Sequence, residues 1–77
     1  MGEIISVEIL GNKMNIETTM KKDEAIMVVQ FVENLMKEIK NKNPYIPFSS
    51  VATIAALNLA EEIFIITKKI KELESMV

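Results

Sequence analysis

The groups in this chain that could carry chemistry are eleven carboxylates, nine lysine amines, one tyrosine phenol and a few hydroxyls and amides. Histidine and cysteine are absent, and with them the usual nucleophile–base pairs and most transition-metal ligand sets. The nearest thing to an acid–base pair is Glu61-Glu62. On a helix, sequence neighbours point about 100° apart and share no face, so the two read as solvated surface charge. Two glycines make no phosphate-cradling loop, and neither a dinucleotide-binding nor a P-loop pattern occurs. The six methionines are scattered over strand, linker and helix and read as core filling. No catalytic, cofactor-binding or metal-ligating residue is assigned, no cofactor is expected, and the chain is not expected to be an enzyme.

What remains to do work is apolar surface. At 77 residues and 49% hydrophobic, the chain is one small domain that buries too little of itself to be secure alone. Such scaffolds lean on disulfides, a metal or a partner subunit, and the composition leaves the last. A net charge of −2 with no arginine argues against nucleic acid as a partner. The N-terminus lacks a basic-then-apolar leader. Val51 to Ile66 is interrupted by Asn58, Glu61 and Glu62 and reads as too short and polar for a bilayer. A soluble cytoplasmic protein without a membrane partner is expected.

The elements that must position this surface are legible as periodicities. Residues 3–10 are β-branched and partly alternating, residues 13–18 alternate with period two, and Gly11-Asn12 between them is a hairpin signal. A two-residue loop there would pair Ile9 with Met14, Val7 with Ile16 and Ile5 with Thr18 on one apolar side. Glu8 would then face Asn15, and Ser6 would face Glu17, on a polar side. A lone hairpin is marginal in water and must lie on something. The helix expected over 23–42 supplies it. Asp23 is its candidate cap, and Ala25, Val28, Val29, Val32, Leu35, Met36 and Ile39 form its stripe. Ile26 and Phe31 lie off that stripe. Asn43-Pro44 ends the helix. A loop over 43–50 carries Tyr45 and Phe48, expected to pack onto the domain, a recognition surface being the alternative. The fold class is α+β: an N-terminal β-hairpin packed on a helix, then a long C-terminal coiled-coil helix capped at Ser49 or Ser50. Residues 1–50 form the head and 51–77 the oligomerisation helix of one domain.

In that last helix Ala56, Leu59, Ile63, Ile66, Ile70, Leu73 and Val77 follow spacings of alternating three and four. This is the two-in-seven repeat along which helices supercoil, with Ala56, Ile63, Ile70 and Val77 at a and Leu59, Ile66 and Leu73 at d. In a parallel pair Lys69 would face Glu74 of the partner, a contact worth a few tenths of a kcal/mol at most. Ile54, Leu57, Phe64 and Ile65 fall outside a two-stranded seam and offer a second apolar surface. Asn58, inside the apolar run, is either surface or an interface amide that fixes register.

Three segments in order resemble the cell division protein ZapA family: Val7-Glu8-Ile9-Leu10-Gly11-Asn12-Lys13-Met14-Asn15-Ile16, Val28 to Ile39, and Ile54-Ala55-Ala56-Leu57-Asn58-Leu59-Ala60-Glu61-Glu62-Ile63. The last is similar to the family's Ala-Ala-Leu-Asn core followed by an acidic pair. The resemblance implies a head of hairpin and helices, a C-terminal helix that dimerises, and pairing of dimers into tetramers. It also implies binding to filaments of the tubulin-like protein FtsZ, bundled or aligned at the division site. Basic residues near the hairpin turn are associated with that contact in the family, which points to Asn12, Lys13, Asn15, Lys21 and Lys22 here. Two departures stand out. The residue after Gly11, often basic in the family, is Asn12, and the helix stops at Val77, without the stalk of longer members. The rival readings are a coiled-coil adaptor or small regulatory subunit of another cytoplasmic complex, and an enzyme subunit completing a shared site.

Overall fold

A computed structural model describes residues 2–76. Two antiparallel strands, β1 (Glu3–Ile9) and β2 (Asn12–Thr18), are followed by two helices, α1 (Lys22–Lys42) and α2 (Phe48–Ser75). The α+β architecture read from the periodicities is the one found. The chain divides into two compact units, Met1–Tyr45 and Ile46–Val77.

The hairpin forms with a different loop. Among the described residues, Leu10 (49°) and Gly11 (81°) have positive φ, the requirement of a type I′ turn at both central positions. Pairing therefore runs Ile9 with Asn12, Val7 with Met14 and Ile5 with Ile16, and on the other side Glu8 with Lys13, Ser6 with Asn15 and Ile4 with Glu17. The expected Gly11-Asn12 loop is corrected. Glycine takes the second turn position, and Asn12 enters the strand, its side-chain amide donating to the carbonyls of Ile9 (3.4 Å) and Leu10 (3.2 Å). The register moves by two residues, so every side chain keeps its predicted face; a slip of one would have inverted them. Opposite charges, Glu8 and Lys13, now stand across from each other, a mildly favourable pair.

Helix α1 packs against β1 and begins at Lys22, with Lys21 at the cap position and no side-chain cap. Asp23 is not the cap. The Ala25 N–H closes on the Lys21 carbonyl at 2.9 Å, leaving Asp23 and Glu24 in the first turn, where negative charge meets the positive end of the helix. Ala25, Met36 and Ile39 are buried, and Val29, Val32 and Leu35 half-buried. The apolar stripe is narrower than expected: Val28 joins Ile26, Met27 and Phe31 among the exposed residues. At the far end the Asn43 N–H donates to the carbonyls of Ile39 and Lys40, and Pro44 prevents continuation. Tyr45 does not pack down, being 98% exposed; Phe48 is half-buried.

In the second unit α2 starts ahead of the two serines. Pro47 holds the cap position with an extended backbone, and its carbonyl accepts from the N–H groups of Ser50 (3.0 Å) and Val51 (3.1 Å). The serines thus lie inside the first turn, and Ser49 accepts the Thr53 hydroxyl at 2.8 Å. With 28 residues the helix is about 42 Å long at 1.5 Å per residue. Val51 and Ala55 are buried, and every residue from Ala60 to Met76 is exposed. Val77, the last position of the predicted seam, lies outside the described residues. By length and composition alone α2 could cross a membrane, since the helix extends past both ends of Val51–Ile66. Its polar interruptions remain, and a carboxylate near a bilayer centre costs several kcal/mol. A helix destined to be covered by partner helices has the same composition.

Candidate interaction surfaces

Two surfaces carry the residues singled out from the sequence. The first runs along α2. Of the seam positions, Ala56, Ile63, Ile66, Ile70 and Leu73 are exposed and Leu59 is half-buried. Exposure reaches 65% at Ile63 and 64% at Leu73, high for branched apolar side chains with no other role. The alternating three- and four-residue spacing places these side chains in one stripe because two helical turns take about seven residues. Beside them Leu57, Phe64 and Ile65 are also exposed, Phe64 to 70%, and Ile54 is half-buried. Asn58 is exposed and shares the c position with Ile65, outside a two-stranded seam. Glu61 and Glu62 are exposed. Contiguous apolar exposure of this extent marks a surface that another molecule covers.

The second surface is the head. Lys13, Asn12 and Asn15 belong to β2, near the turn, and all three are exposed. A shallow depression there is lined by Ser6, Val7, Glu8, Lys13, Met14 and Asn15, with the Ser6 hydroxyl donating to Asn15 Oδ1 at 2.8 Å. Lys21 and Lys22 sit at the opposite, open end of the hairpin, with Glu3, Thr18, Thr19 and Met20 lining the depression beside them. From Lys13 to Thr18 the strand advances roughly 17 Å. The five residues to which the resemblance points therefore fall into two groups along the hairpin, and each group lies beside carboxylates: Glu8 across the ladder from Lys13, and Asp23 and Glu24 after Lys22.

One head residue was not anticipated. Glu33, half-buried on α1, accepts the Leu10 backbone N–H at 3.2 Å through Oε2. Its Oε1 lies 3.7 Å from Lys37 Nζ. A contact spanning 23 residues leaves no local trace in the sequence. The trace that does exist is indirect: a turn with a non-glycine residue at positive φ needs its backbone groups held.

Hairpin, helix and long apolar helix recur together in known proteins. A sequence profile of cell division protein ZapA matches residues 5–77. The chain belongs to the ZapA family. Among curated ZapA proteins, that of Bacillus licheniformis is 25% identical over 72 residues, spanning 94% of this chain and 85% of the relative. That of Geobacillus sp. strain WCH70 is 29% identical over 58 residues, spanning 75% and 67%. A solved structure described as a ZapA mutant dimer from Geobacillus stearothermophilus superposes with a TM-score of 0.79 at 23% identity, covering 97% of this chain and 87% of the other. The ZapA fold is thus shared along nearly the whole chain, and the profile takes in both surfaces described above.

Proposed function

We propose that this ZapA-family chain is a non-enzymatic accessory of cell division that pairs through α2 and holds its heads against FtsZ filaments, bundling or stabilising them. The observation that carries this reading is the seam from Ala56 to Leu73, apolar at helical spacing and uncovered in the single chain. Covering half-exposed isoleucines and leucines contributes on the order of 1 kcal/mol each, so a seam of this length favours association. The relative from Geobacillus stearothermophilus, described as a dimer, supports pairing of two copies. The neighbouring face of Leu57, Phe64 and Ile65 suits pairing of dimers into tetramers.

The physics of the function is multivalency. A pair of heads converts the second filament contact into an intramolecular event at an effective concentration of about millimolar, so each head can bind weakly. The protein acts in the cytoplasm at the division site, with neither nucleic acid nor membrane as partner. Co-sedimentation with FtsZ polymers tests the reading: enrichment in the pellet is expected. If the intact oligomer stays in the supernatant at low salt while a single other soluble protein is retained in pull-downs, the general adaptor reading takes its place.

A further inference from the structure

We infer that the outer edge of β2 is self-complementary and pairs antiparallel with β2 of a second copy, making one four-stranded sheet of two hairpins. This contact depends on neither the filament reading nor the seam along α2. The hairpin closes on Ile9 and Asn12, which face each other as the hydrogen-bonded pair flanking a two-residue turn. Along an antiparallel ladder such pairs alternate with pairs whose backbone groups point outward. Lys13, Asn15 and Glu17, opposite Glu8, Ser6 and Ile4, are of the second kind. Their N–H and C=O groups aim off the far edge of β2, and among the described residues no backbone group meets them there. All three side chains are exposed. Proteins blunt such an edge by shortening it, bending it with a bulge, or placing a proline or lysines along it. Here β2 runs seven residues, pairs with β1 without a bulge, and contains no proline. Its one lysine opposes pairing only if it meets a like charge.

The sequence of β2, Asn-Lys-Met-Asn-Ile-Glu-Thr, is its own antiparallel complement about Asn15. With Asn15 facing Asn15 of the second copy, the outward backbone groups of both strands meet as hydrogen-bonded pairs. Lys13 then stands opposite Glu17 of the second copy, and Glu17 opposite Lys13 of that copy, so opposite charges face each other on both sides of the dyad. Between them Met14 lies against Ile16 of the second copy, again twice. Met14 is 40% exposed and Ile16 half-buried, so the pairing also covers apolar surface that the single hairpin leaves open. Other registers lose this match. A slide of two residues sets Lys13 or Glu17 against Asn15, and a slide of four sets lysine against lysine or glutamate against glutamate. A slide of one residue opposes apolar to polar faces. The interface is isologous, the same patch used by both copies.

The experiment uses the full chain, whose lack of cysteine allows a single thiol to report the contact. Asn15→Cys should form a disulfide with its own copy under mild oxidation. Cα atoms of a hydrogen-bonded pair stand about 5.5 Å apart, inside the range a disulfide spans. Ser6→Cys is the control. Ser6 lies across from Asn15 on β1 and is exposed, but in the four-stranded sheet two copies of it are separated by about 14 Å. It should cross-link at most about a tenth as fast. Added to Asn15→Cys, Lys13→Glu or Glu17→Lys turns both charge pairs repulsive and should slow cross-linking about fivefold or more. Mixing the two charge variants should restore cross-linking between them to within about twofold of Asn15→Cys alone, since each supplies the charge that the other lacks. Lys13→Glu also meets Glu8 in its own hairpin, so melting is followed in parallel. Glu17→Lys, opposite Ile4, carries the charge test alone if Lys13→Glu melts lower. Asn15→Cys that bridges no faster than Ser6→Cys overturns the pairing. Charge variants that bridge as fast as Asn15→Cys alone, or a mixture of folded variants as slow as either one, overturn the self-complementary register.

Discussion

Gly11 and Asn12 divide between them the work that the sequence assigned to both. The glycine supplies a φ of 81°, and the asparagine pins the turn by donating to two carbonyls. Because space around Gly11 is open, Gly11→Ala introduces no clash and only conformational strain. It should lower stability by about 1–2 kcal/mol, seen in chemical denaturation, while the oligomeric mass stays unchanged. The faces of the hairpin were legible because they depend only on parity. The loop was not, because the Gly-Asn pair suits a two-residue turn in isolation, while the Leu10-Gly11 turn is bonded by Glu33, a residue 23 positions away. The same limit applied to Lys13, Asn15, Lys21 and Lys22. Their charges are plain in the sequence, but only the strand length separates them into two groups.

Helix α2 was legible almost to its ends, since no glycine or proline interrupts it and its heptad spacing persists to the last turns. Its start was misplaced because two serines are good caps in general, whereas here the Pro47 carbonyl takes the first hydrogen bonds. The stripe on α1 was overestimated for a related reason. Periodicity marks which residues could be buried together, and a two-stranded hairpin is too narrow to cover all of them, leaving Val28 outside. For α2 the decisive variant is Ile70→Lys. Ile70 is half exposed in the single chain, so a lysine there disturbs no intrachain packing. A lysine at an a position of a paired seam, by contrast, is costly. The variant should lose oligomeric mass, read by light scattering, and fold only weakly or not at all as a monomer. Unchanged mass and an unchanged melt would remove the heptad argument.

As a whole molecule the chain exposes more apolar surface than a small monomer usually does, and its stability should therefore be linked to its own concentration. Melting temperature should rise with protein concentration, as for any fold stabilised by its partner subunit. Filament binding, in contrast, should weaken only moderately with salt. Exposed charges are screened beyond about 10 Å at 0.1 M salt, but the head's lysines stand beside carboxylates of their own, so its net field is small. A steep loss of pelleting with modest salt would mean that a concentrated basic patch exists after all. The central claim is that α2 pairs with a second copy, and sedimentation equilibrium of the full chain over a concentration series tests it most directly. A mass of at least twice the 8.7 kDa chain, falling towards one chain on dilution or with Ile70→Lys, is predicted. A wild-type species of one chain mass at every concentration would contradict it.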